Sequence, residues 1–195
     1  MTSFEWLLPL MLLGYLSGSW LGALIVCRLA GVRDPRQEGS GNPGFSNVLR
    51  LHGRRLALAT LLLDTVKGMP VLWLALVLGM PPWAQGVVGL AVLLGHSYPL
   101  WSRFRGGKAV ASAFGVMVVL TPWVALCCAL LWILLAWRVG TAAVASLASA
   151  GLAPLASIWL APDYVGVVLA FTALVLVRHL LNIRRLQKGD EPSLR

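Results

Sequence analysis

The chain has 195 residues, 58% of them hydrophobic and 12% charged, with a mean hydropathy of +0.81 and a formal net charge of +9. Soluble domains carry about 25% charged residues, so a water-soluble globule is excluded, and the length suits one domain over residues 1–195. The basic residues gather between apolar runs, a pattern that reports membrane topology, so no nucleic-acid partner is expected.

The first apolar run, about residues 4–28, is long enough to span a bilayer and carries Glu5 instead of a basic leader. Arg28, Arg33, Arg36, Arg50, Arg54 and Arg55 follow, which places that loop in the cytoplasm and the amino terminus outside. A second span over about 56–78 contains Asp64 and Lys67 and ends at the uncharged Gly79-Met80-Pro81-Pro82-Trp83. The third, about 84–101, returns to Arg103, Arg105 and Lys108.

Residues 109–137 hold no charge and have Pro122 near their centre. Read as one helix, they would put Arg138 and the last basic cluster outside; read as two helices turning at Thr121-Pro122, they keep every basic cluster inside. The first arm of such a hairpin, about 12 residues, would reach about 18 Å against a hydrocarbon core of about 30 Å. With further spans at about 141–160 and 164–181, the expectation is an all-α polytopic bundle of seven transmembrane helices, amino terminus out and carboxyl terminus in.

On this topology the chemistry-bearing residues fall on the cytoplasmic side. Gly39-Ser40-Gly41-Asn42-Pro43-Gly44-Phe45-Ser46-Asn47 packs glycines, hydroxyls and amides into a stretch suited to a backbone whose N–H groups converge on an anion, with Arg50 adding a fixed charge. A plain solvated turn has the same composition. Gly106-Gly107-Lys108 opens an apolar helix, placing free N–H groups beside an ammonium, although Ser102 and Ala109 exclude a Walker P-loop. Asp64 and Lys67 have ion-pair spacing inside a span, and self-neutralisation that braces the loop is the plainer account of them. Ser146 and Ser149 have the spacing of helix-packing residues. Cys27, Cys127 and Cys128 show neither metal spacing nor a disulfide framework, so neither metal nor cofactor is expected.

Four motifs together resemble the bacterial acyl-phosphate:glycerol-3-phosphate acyltransferases, the PlsY family. They are GSGNPGFSNVLR at 39–50; Leu63, Asp64, Lys67 and Gly68; Gly95, His96, Pro99, Phe104, Gly106, Gly107, Lys108, Val110 and Ala111; and Arg178 to Arg185. The chain departs from the family pattern at Phe45, Ser46, Trp101, Ala109 and Ser112, where the family has Ala, Thr, Phe, Gly and Thr.

The resemblance implies acyl transfer from acyl phosphate to the 1-hydroxyl of sn-glycerol 3-phosphate, releasing lysophosphatidate and phosphate. By similarity, Ser40 and the backbone of Gly41 to Gly44 take the acyl-phosphate head, with Ser46 keeping the family's hydroxyl and Asn42 and Asn47 holding the loop. Arg50, Lys108, Asn182 and His179, with either Arg184 or Ser149, take glycerol phosphate beside the Gly106-Gly107 turn. Asp64 and Lys67 serve as structural support. His96 is either a base or a structural residue, and the family favours proton transfer to the departing phosphate. The resemblance also implies a monomer in the bacterial inner membrane, in contact with lipid, its active site facing the cytoplasm.

An acyl-CoA-dependent enzyme of the soluble-site type would carry His followed five positions later by Asp, and His52, His96 and His179 are followed there by Ala57, Trp101 and Arg184. A small anion transporter or channel is the other reading, and it would need a polar stripe continuing to the outer face.

Overall fold

In the computed structural model, which describes residues 5–194, the described residues are helical with no strand. The expected start of the first span at about residue 4, and the amino terminus itself, lie outside the described residues. The first apolar run forms α1 (Leu7–Gly18) and α2 (Gly22–Leu29), separated by a break at residues 19–21. A backbone break at membrane depth must find its partners within the protein. Here Gly22 N donates to Asp64 Oδ1 at 3.0 Å, and the Trp20 carbonyl accepts from Lys67 Nζ at 2.8 Å.

The glycine loop leads into a short helix, α3 (Phe45–His52). A second broken span follows as α4 (Arg54–Val66) and α5 (Met69–Val77). Pro70, in the first turn of α5, has no N–H with which to continue the preceding helix. Next come α6 (Pro82–Ser97), α7 (Val110–Leu120), α8 (Pro122–Val139) and α9 (Ala142–Leu160). The chain does turn at Thr121, which leaves helical geometry (φ −141°, ψ 64°), and α7 packs on α8. Finally α10 (Val165–Arg178) bends by 54° into α11 (Leu180–Lys188) at His179.

Four segments are apolar helices of spanning length, Leu7–Leu29, Arg54–Val77, Pro122–Val139 and Ala142–Leu160, and the bent pair makes a fifth. α6 with 16 residues and α7 with 11 are shorter, about 24 and 17 Å.

The core lies where α1, α5, α6, α7 and α10 meet, around Leu10, Leu72, Val88, Val92, Val116 and Phe171. Hydrophobic burial does little to drive helices together in lipid, so close backbone contact matters more. α1 accordingly rides on α6 through Gly18, where a Cβ would lie 2.1 Å from the Val92 carbonyl oxygen. In contrast, α8 buries little of its apolar surface, and Leu130, Ile133, Leu134 and Trp137 stand exposed. That face suits lipid.

Candidate active site

A cavity of about 360 Å³ opens between α3, α7, α8, α9 and α10. One end is polar, with Ser40, Asn42, Ser46, Arg50, Lys108 and His179; the other is walled by Phe114, Met117, Cys128, Ile133, Ala153 and Phe171. A second cavity of about 430 Å³ shares Ser40, Asn42, Lys108 and Asn182 and adds Gly41, Gly106, Arg178, Arg184 and Arg185. The glycine loop, the 106–108 turn and the end of the last span, distant in sequence, are thus neighbours at one end of the bundle. Near the Pro81-Pro82 turn, Tyr164 donates to Gln85 Oε1 at 2.6 Å.

Asn47 builds the loop. Its buried side chain donates from Nδ2 to the carbonyls of Pro35 (2.8 Å) and Glu38 (3.1 Å), while Oδ1 accepts from Ser40 N at 3.0 Å. Gly39 must be glycine beside it: its φ is +61°, and a Cβ would fall 2.4 Å from Asn47 Oδ1. The loop amides are distributed differently from the expectation. Gly41 N bonds to Glu38 O, Asn42 N to Ser40 Oγ at 3.5 Å and Gly44 N to Asn42 O. Of the loop amides from Gly39 to Ser46, those of Gly39, Phe45 and Ser46 bond to no acceptor among the described residues, and the last two lie in the first turn of α3. Composition points to the glycines of the loop and gives no signal for the Phe45 and Ser46 amides, which are freed only by the start of α3.

The loop's other cations have carboxylate partners: Arg36 with Asp34 at 2.7 Å, and Arg33 with Glu38 at 2.5 Å. Arg50 reaches only neutral oxygens, Ser40 Oγ at 3.4 Å and Asn47 Oδ1 at 3.5 Å. Its pKa is lowered mainly by burial, which the field of Glu191 opposes. Lys108 Nζ has no hydrogen bond or ion pair among the described residues. Burial first, then the positive fields of Arg185, Arg50 and Arg178 against Glu191, brings its pKa down to about 8. A half-buried ammonium and guanidinium without bonded counter-ions form a strong anion site.

Arg178, to which the sequence motif alone assigns no separate role, donates from Nε to Gly107 O at 3.0 Å and from Nη2 to Gly106 O at 3.1 Å, and stacks 5.0 Å over Tyr98. It holds the turn that carries Lys108. His179 sits in the α10–α11 bend, buried, with Nδ1 2.8 Å from the Val175 carbonyl. A carbonyl only accepts, so Nδ1 carries the proton and Nε2 of the neutral ring is an acceptor. Arg184 is exposed and lines only the second cavity, whereas the charge of Arg185 is felt by both Arg50 and Lys108. Ser149 lines the main cavity, but its hydroxyl donates to Cys128 O at 3.1 Å, and Ser146 accepts from Trp132 Nε1 at 3.0 Å. Both hydroxyls tie α8 to α9.

His96 joins the intramembrane pair. Lys67 Nζ is 2.7 Å from His96 Nδ1 and 3.1 Å from Asp64 Oδ1, and His96 Nδ1 lies 3.6 Å from the same carboxylate oxygen. An ammonium has no lone pair, so Nδ1 accepts. On the other side, a Cβ on Gly107 would meet His96 Nε2 at 2.2 Å, and Gly107 N donates to His96 O at 3.1 Å. The triad therefore fastens α4 to α6 and to the 106–108 turn. It also braces the α1–α2 break, while the glycine loop expected to depend on it is held by Asn47.

A family model described as glycerol-3-phosphate acyltransferase matches residues 8–189. A glycerol-3-phosphate acyltransferase of Chromohalobacter salexigens is 66% identical over 186 residues, 95% of this chain and 91% of that protein. One from Idiomarina loihiensis is 43% identical over 189 residues, 96% of each chain. The solved structure of PlsY (YgiH), an integral membrane glycerol 3-phosphate acyltransferase in its glycerol 3-phosphate form, superposes with a TM-score of 0.88 at 34% identity, covering 96% of this chain and 94% of that one. Its lysophosphatidic acid form gives 0.87 at 33% identity over the same shares.

Proposed function

The chain belongs to the glycerol-3-phosphate acyltransferase family, and from that premise we propose the donor, the residue roles and the orientation of this membrane enzyme. It acylates glycerol 3-phosphate to lysophosphatidate, as its relatives' names and the lysophosphatidic acid form of the neighbouring structure indicate. The donor is acyl phosphate. The 1-hydroxyl of glycerol 3-phosphate attacks the acyl carbonyl carbon, the bond to the phosphate oxygen breaks, and the departing phosphate takes the hydroxyl proton.

The observation that carries this reading is the pairing of Arg50 and Lys108, neither of them bonded to a carboxylate among the described residues, at the polar end of an otherwise apolar cavity. Two phosphate-bearing substrates need cations, and an acyl tail needs the apolar end. Ser40 and the Phe45 and Ser46 amides face the acyl-phosphate head; Arg50, Lys108, His179 and Asn182 hold glycerol phosphate, with Arg185 contributing field. His96 has Nδ1 against Lys67 and its far edge against Gly107, so it positions the turn, and the proton leaves on phosphate. Catalysis then rests on orientation and charge stabilisation.

The chain crosses the cytoplasmic membrane seven times, amino terminus out and carboxyl terminus in, with the site facing the cytoplasm. The meeting of the basic segments at one end supports this orientation by the positive-inside rule. The enzyme acts as a monomer in contact with membrane lipid. The test is phosphate release by purified protein given acyl phosphate and glycerol 3-phosphate, with acyl-CoA in a parallel reaction. Release that requires both of the first two, with lysophosphatidate formed, is expected. Product from acyl-CoA alone would overturn the donor assignment.

A further inference from the structure

After α11 the chain folds back over the site. Gly189 turns it, Asp190 N bonds to Arg185 O at 2.9 Å, and the tail is pinned to the α8–α9 turn by Ser193 Oγ (3.1 Å) and Leu194 N (2.7 Å), both on Gly140 O. Between these anchors the Glu191 side chain enters the polar end of the cavity. Its Oε1 accepts from Asn182 Nδ2 at 2.6 Å, and its charge is felt by both Arg50 and Lys108. Oε2 is buried and has no hydrogen-bond partner among the described residues. The family model's match stops at residue 189, two residues short of this side chain.

We propose that Glu191 is an internal competitor for substrate phosphate, seated by the tail between Arg50, Lys108 and Asn182 and displaced when glycerol 3-phosphate binds. This rests on the assignment of that pocket to glycerol phosphate. A carboxylate and a phosphate dianion repel strongly at pocket distances, so they do not share the same cations. The closed state is also shallow. Its Oε2 has lost water without gaining a donor among the described residues. Closure lowers apparent affinity by the fraction of time the pocket is open: a tail seated about nine-tenths of the time weakens binding about tenfold. Before substrate arrives, the same contact shields two cations that would otherwise face each other without an anion.

The experiment is calorimetric titration of full-length protein with inorganic phosphate, together with the KM for glycerol 3-phosphate, for wild type, Glu191→Gln and Glu191→Ala. Glutamine retains an acceptor for Asn182 and loses the charge. Both variants are expected to bind phosphate about tenfold more tightly, with a matching fall in KM. In wild type, hydrogen exchange at the Leu194 amide is expected to accelerate when phosphate is added. Phosphate binding that is abolished by Arg50→Ala yet unchanged or weakened by both Glu191 variants overturns the competition while leaving the pocket assignment standing. Phosphate that binds no form, with Arg50→Ala fully active, overturns the pocket assignment and the proposal together.

Discussion

Arg178 holds the Gly107 carbonyl oxygen at 3.0 Å from its Nε, and the adjacent Gly106 carbonyl at 3.1 Å from Nη2. This fork fixes the peptides preceding Lys108, so the ammonium's position depends on a residue from the far end of the chain. Arg178→Lys cannot reproduce two fixed donors. It is expected to lower kcat/KM for glycerol 3-phosphate about 100-fold, the scale of a misplacement near 1 Å, while the thermal midpoint moves little. Unchanged kinetics would show that the turn holds itself.

Asn47 makes its loop contacts as both donor and acceptor, two from Nδ2 and one at Oδ1, and an ionised carboxylate of the same shape can only accept. Asn47→Asp would set a carboxylate against the Pro35 and Glu38 carbonyls now bonded to Nδ2. Each buried acceptor left unpaired costs about 1–3 kcal/mol. The expected result is a lower thermal midpoint together with loss of activity, read by unfolding in detergent and by phosphate release.

Asp64, Lys67 and His96 predict a characteristic non-additivity. Removing one member of a buried ion pair strands the other, typically at a cost of about 3–5 kcal/mol, whereas replacing both with apolar groups is far milder. Asp64→Leu alone is therefore expected to destabilise more than Asp64→Leu with Lys67→Met. Because Asp64 also receives Gly22 N and Lys67 serves Trp20 O, the double variant should still fall below wild type. Additive losses in thermal unfolding would remove the pair from this role.

Much of this site was legible because its signals are local. The glycine loop, the Gly-Gly-Lys turn, the Asp64–Lys67 spacing and the break at Thr121-Pro122 each lie within a few residues, where composition and periodicity carry information. The missing parts are relations across the fold. Nothing near His96 marks it as the third member of the Asp64–Lys67 group, and the α1–α2 break at Ser19-Trp20-Leu21 carries neither a proline nor a charge, while apolar runs flank it on both sides. The partners of that break, Asp64 and Lys67, lie more than 40 residues away. Glu191 is invisible for the same reason: in sequence it is one acidic residue in a polar tail, and its meaning comes from the cations it meets after the chain doubles back.

Ala109 occupies a conformation that suits glycine. With φ 59° and ψ 13° it is left-handed, and it is buried against the core directly before α7. An L-residue there bears a penalty of about 1–2 kcal/mol, partly offset by the greater unfolded-state freedom of glycine. Ala109→Gly is expected to raise stability by about 0.5–1 kcal/mol, seen as a higher thermal midpoint in detergent. A decrease would mean that packing of the methyl group outweighs the backbone strain.

Lys108 sets the last expectation, on pH. Burial lowers its pKa from 10.5 to about 8 in the folded protein. Below pH 8 the ammonium is charged in both folded and unfolded chains, so the desolvation penalty is present in full; stability attributable to this group rises as pH increases from 8 towards 10.5, where only the unfolded chain remains protonated. Function runs the opposite way. Phosphate needs the charged form, so the KM for glycerol 3-phosphate is expected to climb above about pH 8 as the lysine deprotonates. Lys108→Arg keeps its charge throughout that range and should flatten the rise even if its absolute activity is lower. A KM equally pH-dependent in the arginine variant would assign the titration to another group.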